Sequence, residues 1–522
     1  MRCETWLRRA AQRDGARTAL VTRDSRTSYL EFEAAAERFA SALVHNAAFA
    51  NGERCVLFLD NRVETAVGIF GTLRAGGVFS VINPSTKADK LAYVLNNCEA
   101  SVLLTQTSLL PQVLQAATQA ASVRTIVVVG GGDGAENVLD YDAFLRAAPA
   151  RLPAPPRGID IDLAMLVYTS GSTGQPKGVM MTHKNIAHAA TSITTYLESR
   201  ADDVVLSVLP LAFDYGLYQL LMCVKVGATL VLERSFAFPQ KVLPLMASER
   251  VTGFPLVPTM AALIVQLRNF DPAWALSVRY LTNTAAALPP AHIHKLQALF
   301  PQARVFSMYG MTESKRCTYL PPEQLATRPD SVGIAIPGTE VWVADEAGRR
   351  VAPEVVGELV VRGGHVMQGY WRNEEATAKA LKPGRYAWEK VLHSGDLFRM
   401  DVEGYFYFVG RKDDIIKSRG EKVSPKEIEN VLYALPGIQQ AAVVGVPDDV
   451  VGRALKAIVV IAAGSELQAR DIIAHCVERL EDFMVPRLIE FRASLPKTNT
   501  GKIRRAALQA EAEGRVLPAE DK

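Results

Sequence analysis

The sequence lacks clustered cysteine. Its six cysteines, Cys3, Cys55, Cys98, Cys223, Cys317 and Cys476, are far apart and form no C-x-x-C pair. Disulfide scaffolds and structural zinc sites need thiols close together, so both are excluded and a reducing compartment is expected. Long apolar runs are missing too. Nowhere do about 18 apolar residues follow one another, which excludes a transmembrane helix by pattern. The opening Met1-Arg2-Cys3-Glu4-Thr5-Trp6 has no apolar core of the kind a signal peptide carries. Nor is there an excess of one charge: 58 Lys+Arg against 55 Asp+Glu leave +3 over 522 residues. That charge is spread evenly, about +1 in residues 411–522 and about +2 in the rest. No nucleic acid or anionic membrane is therefore expected to be held by bulk charge. The eight histidines show no H-E-x-x-H or comparable metal spacing, and no G-x-S-x-G elbow is present. Internal repeats are absent. With 49% hydrophobic and 22% charged residues, the composition is that of a soluble globular protein, expected in the cytoplasm.

What is present is an α/β pattern. Short β-branched runs at 54–59, 100–105, 125–129, 204–210 and 228–232 alternate with amphipathic stretches such as 29–45. Such alternation gives mainly parallel sheets covered by helices. Residues 151–157, with Pro153, Pro155 and Pro156, read as an extended connector before a strand at 163–168. From about 338 to 410 the pattern changes to short strands (341–345, 357–362, 405–409) between Gly-bearing turns, predicting a small β-rich subdomain. Gly410-Arg411-Lys412-Asp413-Asp414 then punctuates the chain, and a helix at 425–434 and strands at 441–446 and 456–461 follow. The expected organisation is a large N-terminal domain of parallel-rich sheets over 1–411 and a smaller C-terminal α/β domain over 412–522.

The segment richest in chemistry is Tyr168-Thr169-Ser170-Gly171-Ser172-Thr173-Gly174-Gln175-Pro176-Lys177-Gly178, with three glycines, four aliphatic hydroxyls and one lysine. Glycine lets the backbone approach a polyphosphate, hydroxyls and amides donate to its oxygens, and lysine neutralises charge. A Walker A loop needs Gly directly before Lys and Ser/Thr directly after it, whereas Pro176 and Gly178 flank Lys177. A second glycine-rich string, Gly130-Gly131-Gly132-Asp133-Gly134-Ala135, fits a dinucleotide fingerprint. Residues 136–141 behind it read as polar and turn-like, so no nicotinamide site is expected.

Taken whole, the first string resembles the phosphate loop of the AMP-forming adenylating superfamily of acyl-CoA synthetases, amino-acid-adenylating domains and luciferases. Further motifs follow in that family's order over nearly the whole chain: Tyr309-Gly310-Met311-Thr312-Glu313, Ser394-Gly395-Asp396, Gly410-Arg411, and Pro496-Lys497-Thr498-Asn499-Thr500-Gly501-Lys502-Ile503. The resemblance implies ATP binding by Thr169, Ser170, Gly171, Ser172, Thr173, Gly174 and Lys177. It implies that Tyr309 stacks on adenine, Thr312 touches the α-phosphate, and Glu313 helps hold Mg²⁺, a hard cation suited to carboxylate and phosphate oxygens. Asp396 resembles the family's ribose-binding aspartate, and Arg411 its ribose- and phosphate-contacting arginine. Asp413 matches the hinge about which a mobile C-terminal domain turns. Lys417, Gly420 and Glu421 fall in the segment brought to the site for thiol transfer. Lys502 would reach the α-phosphate and the substrate carboxylate, forming the catalytic set with Thr173 and Glu313.

The implied reaction has two steps. A carboxylate attacks the α-phosphate of ATP to give an acyl-adenylate and pyrophosphate, and a thiol, that of CoA or a carrier protein's phosphopantetheine, then takes the acyl group. The acid is already ionised at neutral pH, so positioning and charge neutralisation carry the first step rather than a base.

The acid pocket is expected around Phe213, Asp214, Tyr218, Ala285, Ala286 and Gly310. Phe213-Asp214 resembles the Phe-Asp pair of amino-acid-adenylating domains, whose aspartate pairs a substrate ammonium. Tyr215-Gly216-Leu217 resembles the acyl type instead. Where the family usually shows Gly-Gly-Ala, this chain has Ala285-Ala286-Ala287. The added methyl groups narrow the channel and favour a small or medium acid. Lys315-Arg316 read first as solvated surface charge, the alternative being that they meet a second acidic group on the substrate or carrier. The leading reading is an acyl-CoA synthetase or carrier-protein acyl ligase. A free-standing amino-acid adenylase loading a peptidyl carrier protein is the alternative. From another class comes an inactive adenylate-binding scaffold, against which the joint presence of Glu313, Asp396, Arg411 and Lys502 speaks. Any carrier would act in trans, since no Gly-Gly-x-Ser follows Lys502. No long heptad run is present, so a monomer or homodimer is the default.

Overall fold

The computed structural model describes residues 1–132, 137–152, 158–170, 175–284, 288, 290–412, 414, 416–418, 421–448, 452–480, 484–498 and 503–514. Two large sheets organise the N-terminal body. The first runs in the order Val138–Asp140, Thr125–Val129, Ala100–Gln106, Arg54–Phe58, Val78–Val81, Leu163–Ser170, Pro176–Thr182. Every neighbouring pair in it is parallel except the final hairpin. Its strands are buried on both faces, which is why they read as unbroken apolar runs. Cys55 and Leu57 enter a core shared with the helices Tyr29–Asn46 and Val63–Arg74, while Val56 and Phe58 enter another with Ala88–Cys98 and Leu110–Ala117. The helix Tyr29–Asn46 starts where Ser28 and Glu31 form a reciprocal capping box, with Glu31 N to Ser28 Oγ at 3.2 Å and Ser28 N to Glu31 Oε2 at 2.8 Å.

The second sheet has a parallel centre in the order Thr18–Val21, Thr229–Leu232, Val204–Ser207, Gly253–Leu256, Tyr280–Asn283, Arg304–Tyr309. The helices His183–Tyr196 and Asp214–Val226 contribute to the same core. A third sheet, antiparallel throughout, comprises Thr339–Ala344, Gly357–Gly363, Leu381–Pro383, Lys390–Met400 and Phe406–Arg411. The smaller C-terminal domain carries a sheet of Ile438–Asp448, Gly452–Ile461 and Leu488–Phe491. Alternation again divides it: Ala441 and Val443 pack with Ile428 and Leu432 on one face, Ala442 and Val444 with Leu508 on the other. Among the described residues, no helix is long and apolar enough to cross a membrane, and all six cysteines are free and buried.

One expectation is corrected. Residues 136–141 are not simply a turn. Val138–Asp140 pairs in parallel with Thr125–Val129, and Asp140 caps the helix Tyr141–Arg146 by accepting from Ala143 N at 2.9 Å. Three residues are too few for a visible alternation. Residues 130–137 join these two parallel strands, and among the described residues no helix of the kind a dinucleotide site requires lies between them.

The chain's first residues are stapled to the body through His183, whose Nδ1 accepts the Cys3 N–H at 3.1 Å. Burial, helped by the Arg2 charge, lowers the His183 pKa to about 3. The unfolded chain takes up this proton near pH 6.5 and the folded chain only near 3. The contribution to stability is therefore complete above about pH 6.5 and is lost as the pH falls toward 3. His183→Gln is expected to flatten this loss in urea unfolding followed from about pH 7 to 4. Parallel curves for the two proteins would contradict that assignment.

Candidate active site

The phosphate-loop string folds as a hairpin. Leu163–Ser170 and Pro176–Thr182 are antiparallel, with Thr169 opposite Lys177 and Ser170 opposite Pro176. A second segment locks onto this hairpin: Met180 N donates to Gly369 O at 2.9 Å, Gln368 N to Met180 O at 3.0 Å, and Trp371 N to Gly178 O at 2.7 Å. Trp371 Nε1 also donates to Asn97 O at 3.0 Å. Tyr370, held between these bonds, places its ring 5.4 Å from the Lys177 ammonium and its hydroxyl 2.7 Å from Glu313 Oε1. Burial and then the Glu313 charge push the Tyr370 phenol up, so it remains a hydrogen-bond donor.

Glu313 itself lies on the turn after the strand Arg304–Tyr309. A side chain at Gly310 would put its Cβ 1.9 Å from Lys315 O, so the turn closes only on glycine. The same closure leaves Thr312 and Glu313 partly exposed and turns Ser314, Lys315 and Arg316 inward. Tyr309, at the strand's end, donates to Asp396 Oδ2 at 2.6 Å. Its ring packs edge-on against Phe398 at 4.9 Å and lies 6.3 Å from Phe408.

Asp396 and Arg411 face each other across the pair Lys390–Met400 and Phe406–Arg411, with Arg411 Nε 3.4 Å from Asp396 Oδ1. The preceding Gly395 has φ +73°, a left-handed conformation that favours glycine. Its N–H donates to Glu358 Oε1 at 2.9 Å. Burial raises the Glu358 carboxyl, but hydrogen bonds from His393 and Gly395 and the Lys412 charge outweigh it, bringing the pKa to about 2. The carboxylate that braces the Asp396 turn is thus ionised at neutral pH. Lys177, Glu313, Tyr370, Gly395 and Arg411 line one cleft of about 1070 Å³.

Residues 7–371 match the family described as AMP-binding enzyme, and residues 427–502 match the AMP-binding enzyme C-terminal domain. A feruloyl-CoA synthase of Amycolatopsis sp is 33% identical over 502 residues, covering 96% of each chain. The chain belongs to the AMP-binding enzyme family. In fold this AMP-binding enzyme is similar to ATP-bound MatB from Rhodopseudomonas palustris, with a TM-score of 0.88 and 28% identity over 98% of this chain and 99% of that one. It is likewise similar to the anthranilate CoA ligase AuaEII in complex with anthranoyl-AMP, with a TM-score of 0.89 and 27% identity over 98% and 97% of the two chains. The enzyme is an AMP-forming acid–thiol ligase. It activates a carboxylic acid with ATP as an acyl-adenylate, releases pyrophosphate and hands the acyl group to a thiol.

Of the residues expected around the acid in this AMP-binding enzyme, Asp214 and Tyr218 lie at the start of the helix Asp214–Val226, which Phe213 precedes. Asp214 is 8% exposed and Tyr218 is buried on the same helix face. Opposite them stands a correction to the sequence reading. Lys315 and Arg316 are 1% and 4% exposed, not solvated surface charge. Their burial follows from the backbone: Lys315 takes φ +63° and its N–H donates to Met311 O at 2.6 Å, folding the turn under itself. Lys315 Nζ lies 3.9 Å from Asp214 Oδ2 and 5.8 Å from the centre of the Tyr218 ring. The Arg316 guanidinium lies 4.6 Å from the centre of the Tyr215 ring and donates to Lys315 O at 3.0 Å. Tyr215 is fixed in turn by donating to Thr282 O at 2.8 Å.

Several expected residues lie outside the described ones: Gly171, Ser172, Thr173, Gly174, Ala285, Ala286, Asp413, Gly420 and Lys502. Lys417 pairs through its backbone with Lys422 in a short hairpin. Lys412 N donates to Gly395 O at 2.8 Å, and Asp414 accepts from Arg505 Nη1 at 2.9 Å, so the chain is tied on either side of Asp413. Tyr370, Phe398 and Phe408 are site residues that sequence reasoning missed. The only trace of Tyr370 was Gly369-Tyr370-Trp371, an aromatic pair after glycine in a polar stretch.

Proposed function

We propose that this ligase is an acyl-CoA synthetase acting on a small or medium non-amino carboxylic acid, with Mg²⁺ as cofactor and CoA as thiol acceptor. The observation that carries the choice is the Lys315 ammonium 3.9 Å from Asp214. An aspartate already facing an internal cation is poorly placed to pair a substrate ammonium, which favours the acyl over the aminoacyl reading. The feruloyl-CoA synthase, similar along 96% of the chain, supports CoA as acceptor.

In this reading Tyr309 stacks on adenine and Asp396 accepts from the ribose hydroxyls. The Tyr309 to Asp396 hydrogen bond at 2.6 Å supports that pairing, because it orients both groups before the nucleotide arrives. Arg411 and Lys177 neutralise phosphate charge, with the hydroxyls and amides from Thr169 to Gly174 donating to the phosphate oxygens. Thr312 contacts the α-phosphate and Lys502 bridges it to the acid. Glu313 would hold Mg²⁺, its carboxylate oriented by Tyr370 at 2.7 Å. Among the described residues no three His, Cys, Asp or Glu cluster as a metal site. One carboxylate plus ATP oxygens fits a cation that dehydrates reluctantly, and bound there it supplies neutralisation of phosphate charge. The domain division is placed at 411/412, with Asp413 as hinge. Turning at that residue withdraws Lys502 and brings the segment with Lys417 and Gly420 to the site for thiol transfer.

ATP–pyrophosphate exchange with fatty, aromatic and α-amino acids, followed by thioester analysis with CoA and with a phosphopantetheinylated carrier protein, tests this reading. Exchange with a fatty or aromatic acid and a CoA thioester are expected. Exchange with α-amino acids alone, lost in Asp214→Ala, would overturn it in favour of an amino-acid adenylase.

A further inference from the structure

We infer that Lys315 is a specificity-determining residue whose ammonium group receives a second carboxylate of the substrate, making this a ligase for short dicarboxylic acids. The inference rests on the ligase reading above and goes further, from the absence of an ammonium site to the presence of an anion site.

The buried cation is unfinished. Lys315 is 1% exposed, yet among the described residues Nζ has no hydrogen-bond acceptor for any of its donors. Asp214 Oδ2 at 3.9 Å is within ion-pair range but too far for a hydrogen bond. Arg316 Nε is a second buried donor without an acceptor among the described residues. Elsewhere the same chain builds a structural pair differently: Arg279 reaches the buried Asp203 through two hydrogen bonds, of 3.2 and 2.6 Å. A buried ammonium with unused donors costs free energy that an arriving carboxylate recovers. A methyl terminus would leave those donors unpaired, and an ω-ammonium would meet two cations.

Charge and position agree with this. Lys315 faces Asp214 and Arg316 lies over the Tyr215 ring beside it, while Glu313 on the cleft side of the turn accepts from Tyr370. The turn also limits length. Thr312, beside the reacting phosphate in the proposed function, and Lys315 are three residues apart, so their Cα atoms lie within about 11 Å. Both ends of the acid are therefore read by one short turn, together with Asp214 and Tyr218.

The test measures kcat/KM for pyrophosphate release with butanoate, hexanoate and benzoate, and with the ω-carboxyl and ω-amino counterpart of each. In at least one series the diacid is expected to exceed the monoacid by about tenfold or more. Lys315→Met is expected to reverse that order, and Lys315→Arg to keep it. Should Lys315→Met not fold, Asp214→Asn serves instead: removing the competing carboxylate is expected to raise the diacid preference. Monoacids preferred in every series by the wild type would overturn the inference, as would a diacid preference that Lys315→Met leaves unchanged or Asp214→Asn abolishes. All three of those outcomes leave the ligase reading intact. No pyrophosphate with any of the acids would overturn the two together.

Discussion

Lys502→Ala is expected to slow acyl-adenylate formation by about 10²- to 10³-fold while thiol transfer from a synthetic acyl-adenylate changes by less than about threefold. The first step brings a carboxylate anion against an already anionic triphosphate. Its barrier is dominated by charge that must be neutralised where the new P–O bond forms, and a fixed ammonium group there has its largest value in the transition state. Lys497 and Ile503 form an antiparallel bridge, and Arg504 N donates to Pro496 O at 2.8 Å. In the second step the thiol attacks the acyl carbon and the electron pair of the broken C–O bond leaves with AMP. In the proposed function Lys502 has by then been withdrawn, so its loss is not expected to slow this step. Quenched single-turnover assays of the two halves check this. An equal fall in both would mean that Lys502 acts through folding.

Asp413→Pro is expected to give the complementary result, with adenylate accumulating and thioester formation falling on the order of 10²-fold. Lys412 N is bonded to Gly395 O in the body, and Asp414 is bonded to Arg505, which also donates to Glu429 Oε1 at 2.6 Å inside the small domain. Only Asp413 lies between the two attachments in the sequence, so the proposed rotation of one domain against the other is expected to turn on it. Proline fixes φ near about −65° and restricts the residue before it. Wild-type thioester formation in this variant would place the hinge elsewhere. A parallel loss of both half-reactions would point to misfolding, which thermal unfolding distinguishes.

Much of the fold was legible because local signals agreed with burial. The helix from Tyr29 announces itself by Ser28 and Glu31 and by apolar spacing, and the strands Thr125–Val129 and Arg54–Phe58 by β-branched runs buried on both faces. Val138–Asp140 escaped because three residues carry no period, and the pairing that makes it a strand is supplied by its neighbour. The residues expected at the nucleotide were legible as short strings, and the structure brings Lys177, Glu313 and Arg411 to one cleft from distant parts of the sequence. Tyr370 was not, since its partners Lys177 and Glu313 are 193 and 57 positions away along the chain, spacings that no local pattern records. Lys315 and Arg316 look like surface charge in any window. Only the closure of the turn at Gly310, where Lys315 O occupies the place of a Cβ, sends them inward.

The central claim is that a carboxylate oxygen of the acid attacks the α-phosphate of ATP. Turnover with an acid labelled with ¹⁸O in its carboxylate, followed by mass spectrometry of the nucleotide product, tests it most directly. The predicted result is AMP carrying one ¹⁸O atom from the acid, formed together with unlabelled pyrophosphate. Unlabelled AMP, or ADP with labelled inorganic phosphate, would contradict the account.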